Sequence, residues 1–142
     1  MTATMMSAEY AGGSALAEKS LPGIPQKQLF TSISWAENGF QNSSKKPLDG
    51  KTASLDWIAR SSLWANDVND ASSAAAGYGL LNARLKQGFA WGSANFEAYL
   101  GVDNLTDRKA ISSVIINQAG RQYFEPLLPR NWVTGISTKL SL

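Results

Sequence analysis

The sequence contains no cysteine and no histidine in 142 residues. Without cysteine there is no disulfide framework and no thiolate chemistry, and the redox compartment is left open. Without histidine the commonest general base and the commonest transition-metal ligand are both missing. Histidine-based hydrolase triads are thereby removed, and no resident metal or cofactor is expected. A carboxylate-only site remains the one enzymatic route, with Asp56 and Glu97 as its candidates. Charge is also sparse: 17% of residues are charged and the net charge is +2. The longest basic run is Lys45-Lys46, which suits a solvated turn better than a phosphate groove, so no nucleic-acid partner is expected. No apolar run approaches the roughly 18 residues of a transmembrane helix. The opening MTATMMSAEYAGGSALAEKS has no early Lys or Arg and no sustained apolar core, so it is not read as a signal peptide. Taken literally, that would keep the chain in the cytoplasm.

What the sequence does contain is alternation. In SANFEAYLGVD, Ala94, Phe96, Ala98, Leu100 and Val102 share one face, while Ser93, Asn95, Glu97, Tyr99 and Asp103 share the other. YGLLNARLKQGF repeats the pattern, with Leu81, Ala83, Leu85 and Phe89 opposite Asn82, Arg84 and Lys86. The AWGS between them is short enough for a tight hairpin. Upstream, Ala53, Leu55, Trp57, Ala59 and Leu63 alternate with Ser54, Asp56, Arg60 and Ser62; Leu29, Thr31, Ile33 and Trp35 alternate with Gln28, Ser32 and Ser34. At the far end Trp132, Thr134, Ile136, Thr138, Leu140 and Leu142 fall on one face. A weaker strand is expected near TATMMSAEY. Together these predict an all-β chain of about six antiparallel up-and-down strands, each about 9 to 13 residues long, against a usual length near 5 or 6.

Two solvents suit such strands. In a soluble sandwich or small barrel the apolar face packs on a second sheet. In an outer-membrane barrel it meets lipid, aromatic residues gather at the strand ends, and the polar face lines a lumen. Periodicity alone leaves both open. The segments 65–77 and 104–130 are expected to be long polar connections. ANDVNDAS holds Asn66, Asp67, Asn69 and Asp70 without the spacing or closing Glu of a calcium loop, so a solvated loop is expected there.

The carboxy-terminal third, FEAYLGVDNLTDRK through RNWVTGISTKLSL, resembles the end of TonB-dependent outer-membrane receptors, the siderophore-receptor family. Gly101, Val102, Asn104, Leu105 and Asp107 resemble the family's G-V-x-N-L-x-D strand; Arg130 and Gly135 resemble its final strand. LPGIPQKQLF and GYGLLNARL are similar to earlier strands of the same barrels, so the likeness covers residues 20–142. The resemblance implies that residues 1–142 are a carboxy-terminal segment of a transmembrane β-barrel in the outer membrane, without the plug domain and without enzymatic activity. It implies uptake of a ferric siderophore or other metal chelate, with the TonB complex, outer-membrane lipid and the barrel-assembly machinery as partners.

It further implies that Asn104, Leu105 and Asp107 mark where a strand leaves the bilayer. Gln118, Arg121, Tyr123 and Phe124 would be ligand-contacting loop residues. Arg60, Arg84 and Lys86 would face the lumen, and Trp132, Ile136, Leu140 and Leu142 would form the strand that the assembly machinery reads. The terminal Leu142 departs from the aromatic residue usual in the family.

Overall fold

The structure, a computed structural model, describes residues 1–37, 50–91, 93–121 and 123–140. Among the described residues the strands are, in chain order, β1 (Thr2–Met5), β2 (Lys27–Ala36), β3 (Gly50–Arg60), β4 (Leu63–Trp64), β5 (Ala74–Ala75), β6 (Tyr78–Trp91), β7 (Ala94–Asp103), β8 (Ile111–Val114), β9 (Phe124–Pro126) and β10 (Asn131–Leu140). Six of them build one antiparallel sheet in the order β1-β2-β3-β6-β7-β10, each neighbour following the last up and down. The sheet is open, with β1 and β10 as its edges. Two small hairpins, β4-β5 and β8-β9, stand apart within the long connections. Among the described residues no helix is long and apolar enough to cross a membrane, which has no bearing on crossing by strands.

Register joins the alternating faces into continuous rows. Ile33 lies opposite Leu55, Leu55 opposite Ala83, Ala83 opposite Val102, and Val102 opposite Trp132. The next row reads Trp35, Ala53, Leu85, Leu100 and Thr134. Because strand side chains alternate strictly, one slipped residue would turn any strand's apolar set to the wrong side. One face of the sheet is therefore largely apolar, interrupted by the cross-strand pair Lys51 and Gln87 and by Thr31, Thr134 and Thr138. Phe89 and Phe96 stack across β6 and β7 on this face, 5.2 Å apart. Trp57 and Trp132 sit on it in adjacent rows towards the cap, Trp35 in the row after that of Trp132, and Trp91 at the far end of β6. The face is bare: Ile33 is 69% exposed and Ile136 72%.

Apart from Val102, which is 6% exposed, the buried hydrophobic side chains lie elsewhere. Leu63, Ala65, Ser73, Ala75 and Tyr123 are all buried, and all belong to the connections at one end of the sheet. Segments 6–26, 61–77 and 104–130 meet there as a cap. At the other end β6 and β7 are joined by residues 92–93 alone, as the AWGS hairpin requires.

Two expectations need correction. Leu63 does not continue the alternation of β3, which ends at Arg60; Ser61 N–H caps back onto the Lys27 carbonyl at 2.9 Å, and Leu63 turns into the cap as part of β4. Gly77 accommodates the return of that loop, since a Cβ there would lie 2.6 Å from the Arg60 carbonyl oxygen. The stretch ANDVNDAS, expected to be solvated, is the most densely hydrogen-bonded part of the cap. Asp67 and Asn69 have partners from other loops, which composition cannot reveal.

Candidate functional site at the loop end of the sheet

The strand-end residues act as a clamp. Asn104 adopts a left-handed backbone (φ 52°), which asparagine tolerates better than most residues, and this turns the chain out of β7. Its buried side chain then holds both ends of the long connection. The Oδ1 accepts from Arg108 N at 2.7 Å; the Nδ2 donates to the carbonyls of Arg108 at 2.9 Å and Leu128 at 3.1 Å. The Asn104 backbone N–H donates to Asn82 Oδ1 at 2.9 Å, and Leu105 N–H to the Leu81 carbonyl at 2.7 Å. Asp107, also left-handed, accepts from Arg130 N at 2.9 Å. Asn104 and Asp107 thus stop the strand, as expected, and also fasten the exit of the loop to its return.

The cap is fastened at a second point by Asn66, Asp67, Asn69 and Asp70. Asp67 accepts from the Tyr10 hydroxyl and, at 2.8 Å, from Asn117 Nδ2. Asn69 accepts from Ser20 N at 2.7 Å and donates to the Ser20 carbonyl at 3.0 Å. Three segments distant in sequence are therefore tied by side chains of one. Asp70 accepts from Ser72 Oγ, from Asn66 Nδ2 at 2.6 Å and from Ser73 N at 3.1 Å, so it caps the short turn Ala71–Ser73. The Ser72 hydroxyl first, and the Asn66 amide second, hold its carboxyl below the ordinary value. The hydrogen bond to Asp67 raises Tyr10, with desolvation adding to it.

The charged residues expected on the polar face are all there, in different circumstances. Arg84 pairs with Asp103 and also donates to the Val102 carbonyl at 3.1 Å. Lys86 pairs with Glu97 at 3.2 Å. Arg60, at the end of β3, has no carboxylate partner among the described residues. Its guanidinium lies 4.4 Å over the ring of Tyr78 and donates to the Ile111 carbonyl, tying the sheet to the cap, while its buried Nε has no partner. Shallow concavities of about 330 Å³ beside Arg84 and Lys86 and about 300 Å³ beside Arg60 open on this face.

The loop residues expected at a ligand differ in exposure. Gln118 is exposed, and Phe124 is 40% exposed in β9. Tyr123 is only 7% exposed, with its ring 6.0 Å from that of Phe124, so it belongs to the cap's interior rather than its surface. Arg121 ends the short turn Ala119–Arg121. In β10, Trp132 and Ile136 lie on the apolar face with the backbone of Leu140 in register, whereas Leu142 lies outside the described residues.

Asp56 and Glu97 are not brought together as a pair. Asp56 lies opposite Asn82 and accepts from Ser32 Oγ at 2.6 Å; Glu97 lies opposite Gly88 and holds Lys86. Asn82 and Gly88 are six residues apart along β6, about 20 Å at the usual strand rise, well beyond the roughly 5–9.5 Å between cooperating glycosidase carboxylates.

No protein-family model matches the chain. Among solved structures it is similar to one described as the crystal structure of BauA, the ferric preacinetobactin receptor from Acinetobacter baumannii. The TM-score is 0.69 at 15% sequence identity, over 91% of this chain and 17% of that chain. Identity that low shows likeness of fold alone. The described strands superpose on a small part of a much longer protein.

Proposed function

We propose that this chain is a segment of the wall of an outer-membrane receptor, a β-barrel that takes up a scarce ligand with energy supplied through TonB. The observation that carries the reading is the predominantly apolar face of the sheet, largely bare across strands about ten residues long, against a mostly hydrophilic opposite face. Moving a large apolar side chain out of water is worth about 1.5–3 kcal/mol when it is fully buried. Rows of such side chains therefore demand a partner phase, and contiguous apolar patches of this kind are rare on soluble monomers. Lipid is that phase in this reading, with Trp57 and Trp132 nearer the cap-side boundary and Trp91 nearer the other. The cap lies on the side of the long loops, and the short link between β6 and β7 on the periplasmic side.

The ligand class rests on two likenesses. The similar structure is titled a ferric preacinetobactin receptor, and the DNLTD motif resembles siderophore receptors, so a ferric chelate is the proposed cargo. The open edges β1 and β10 are then completed by further strands, since bacterial barrels close with about 8 strands or more. TonB and the barrel-assembly machinery are partners of that complete receptor. On this reading the chain carries no enzymatic activity of its own.

Cell fractionation tests the proposal. An antibody against residues 109–130 should detect a heat-modifiable band, several times heavier than the 15.3 kDa chain, in the outer membrane. A 15.3 kDa band confined to the soluble fraction would replace this reading with a soluble β-module whose apolar face is covered by another protein surface.

A further inference from the structure

In the six-stranded sheet the described charged side chains fall on the polar face, with two exceptions. Lys27 closes the apolar face at the cap end, and Lys51 stands far from the cap, opposite Gln87. The row of Lys51 and Gln87 continues through Ala98 to Ile136. Glu37 extends it past the end of β2. Its N–H donates to the Lys51 carbonyl at 2.9 Å, and the Lys51 N–H donates to Glu37 Oε2 at 3.1 Å. The carboxylate is thereby fastened beside Lys51, whose ammonium has no carboxylate partner among the described residues. Gln87 donates one amide hydrogen to the Gly88 carbonyl at 2.7 Å and keeps a second for another acceptor. From this row a groove of about 440 Å³ runs towards the cap, between Trp35, Leu85 and Leu100 and over the small Ala53.

We propose that this row binds one zwitterionic phospholipid of the surrounding bilayer. Its phosphate lies on Lys51 and Gln87, its amine meets Glu37, and an acyl chain occupies the groove. A lone ammonium on a lipid-facing wall is unfavourable away from the bilayer surface, and a lipid phosphate supplies the counter-charge there. The level is right for a headgroup. Lys51 is eight residues from Ala59 in β3, about 26 Å along the strand and about 20 Å across a tilted wall, against an apolar band of about 25 Å. The row therefore lies towards the boundary opposite the cap. A phospholipid without the amine would set its anion beside an unmatched Glu37, and a diacylglycerol would leave Lys51 unmatched. The site deepens the proposed function and rests on it, because only in that reading does the apolar face meet lipid.

Native mass spectrometry tests the site on protein purified in mild detergent from the cell fraction that holds it. Phosphatidylethanolamine, phosphatidylglycerol and dioleoylglycerol are titrated separately. The expected result is one retained phosphatidylethanolamine, with the other two lipids bound severalfold more weakly. Lys51→Gln should weaken its binding about tenfold through loss of a charge-assisted contact. Glu37→Gln should abolish the preference over phosphatidylglycerol. Lys27→Gln, on the same face at the cap end, should leave binding unchanged. If Lys51→Gln misfolds, Glu37→Gln decides the matter. The site is overturned if either of the other lipids binds as tightly as phosphatidylethanolamine or if Lys51→Gln binds like the parent. It is equally overturned if Glu37→Gln keeps the preference or if Lys27→Gln weakens binding as much as Lys51→Gln does. A membrane-held protein without the lipid preference removes the site alone, whereas a protein confined to the soluble fraction removes the receptor reading with it.

Discussion

The sheet and the cap use the same chain in opposite ways. In the sheet nearly every side chain of β2, β3, β6, β7 and β10 is at least partly exposed, and order comes from backbone ladders and register. In the cap, short strands of two to four residues supply little ladder, and order comes from buried small side chains and from asparagine and aspartate hydrogen bonds across loops. The sheet leaves its apolar face unsatisfied and depends on a surrounding phase. The cap satisfies itself. A chain built this way carries its own folded loop cluster on a wall that needs an external solvent, which is why the two halves should respond differently to the same perturbation.

The sharpest separation should come from placing a charge on the bare face. Leu85→Arg, at the middle of β6, should cost about 2–4 kcal/mol in a bilayer, whereas Ser54→Arg on the opposite face should cost little. Urea unfolding in lipid vesicles measures both, and equal costs would remove the argument for lipid contact. Next in size is Asn104→Ala. It leaves the Arg108 N–H and the Leu128 carbonyl without their side-chain partner and puts alanine at a positive φ, a loss of about 2 kcal/mol. Hydrogen exchange should rise across residues 105–130 and stay unchanged in β2 and β3; a uniform rise would mean that sheet and cap are one cooperative unit.

A pH series separates the regions further. Asp70 titrates below its ordinary value of 3.8 in the folded chain. Its contribution is complete above that value and is lost as pH falls through the folded pKa, so acid should loosen residues 66–73. Tyr10 titrates above 10.0. Its contribution is complete below that value and is lost as pH rises through the folded pKa, so strong alkali should release Tyr10 from Asp67. Limited proteolysis should cut within residues 66–73 in acid and within segment 6–26 in strong alkali, and spare β6 and β7 at both. The smallest effect belongs to Lys86→Gln on the wall, an exposed ion pair worth about 0.2–1 kcal/mol. A larger loss in the unfolding curve would mean that Lys86 meets more than Glu97.

Much of the sheet is legible in the order of residues alone, because alternation of period two assigns each residue a face and the hairpin at residues 92–93 fixes the pairing of β6 with β7. The role of Asn104 and Asp107 as strand stops is equally legible from residue type. Contacts between loops are not. Nothing local marks Ala65 and Ser73 as buried and Ala71 as exposed, and nothing marks Tyr123 as interior beside the exposed Phe124. The polar composition of ANDVNDAS suggests water as its partner, whereas Tyr10, Ser20 and Asn117 take that place.

The polar row on the apolar face is present in the sequence as exceptions to the alternation, Lys51 and Gln87. Only the register sets them side by side and level with Glu37. Alternation is a property of neighbours along the chain, so the sequence by itself determined the long strands, their two faces and the stop at Asn104, though not the end of β3 at Arg60. Burial in the cap and the pairing state of each cation depend on distant segments meeting in space, as Arg60 meets Ile111 and Asp67 meets Asn117, and that was decided by the tertiary structure alone.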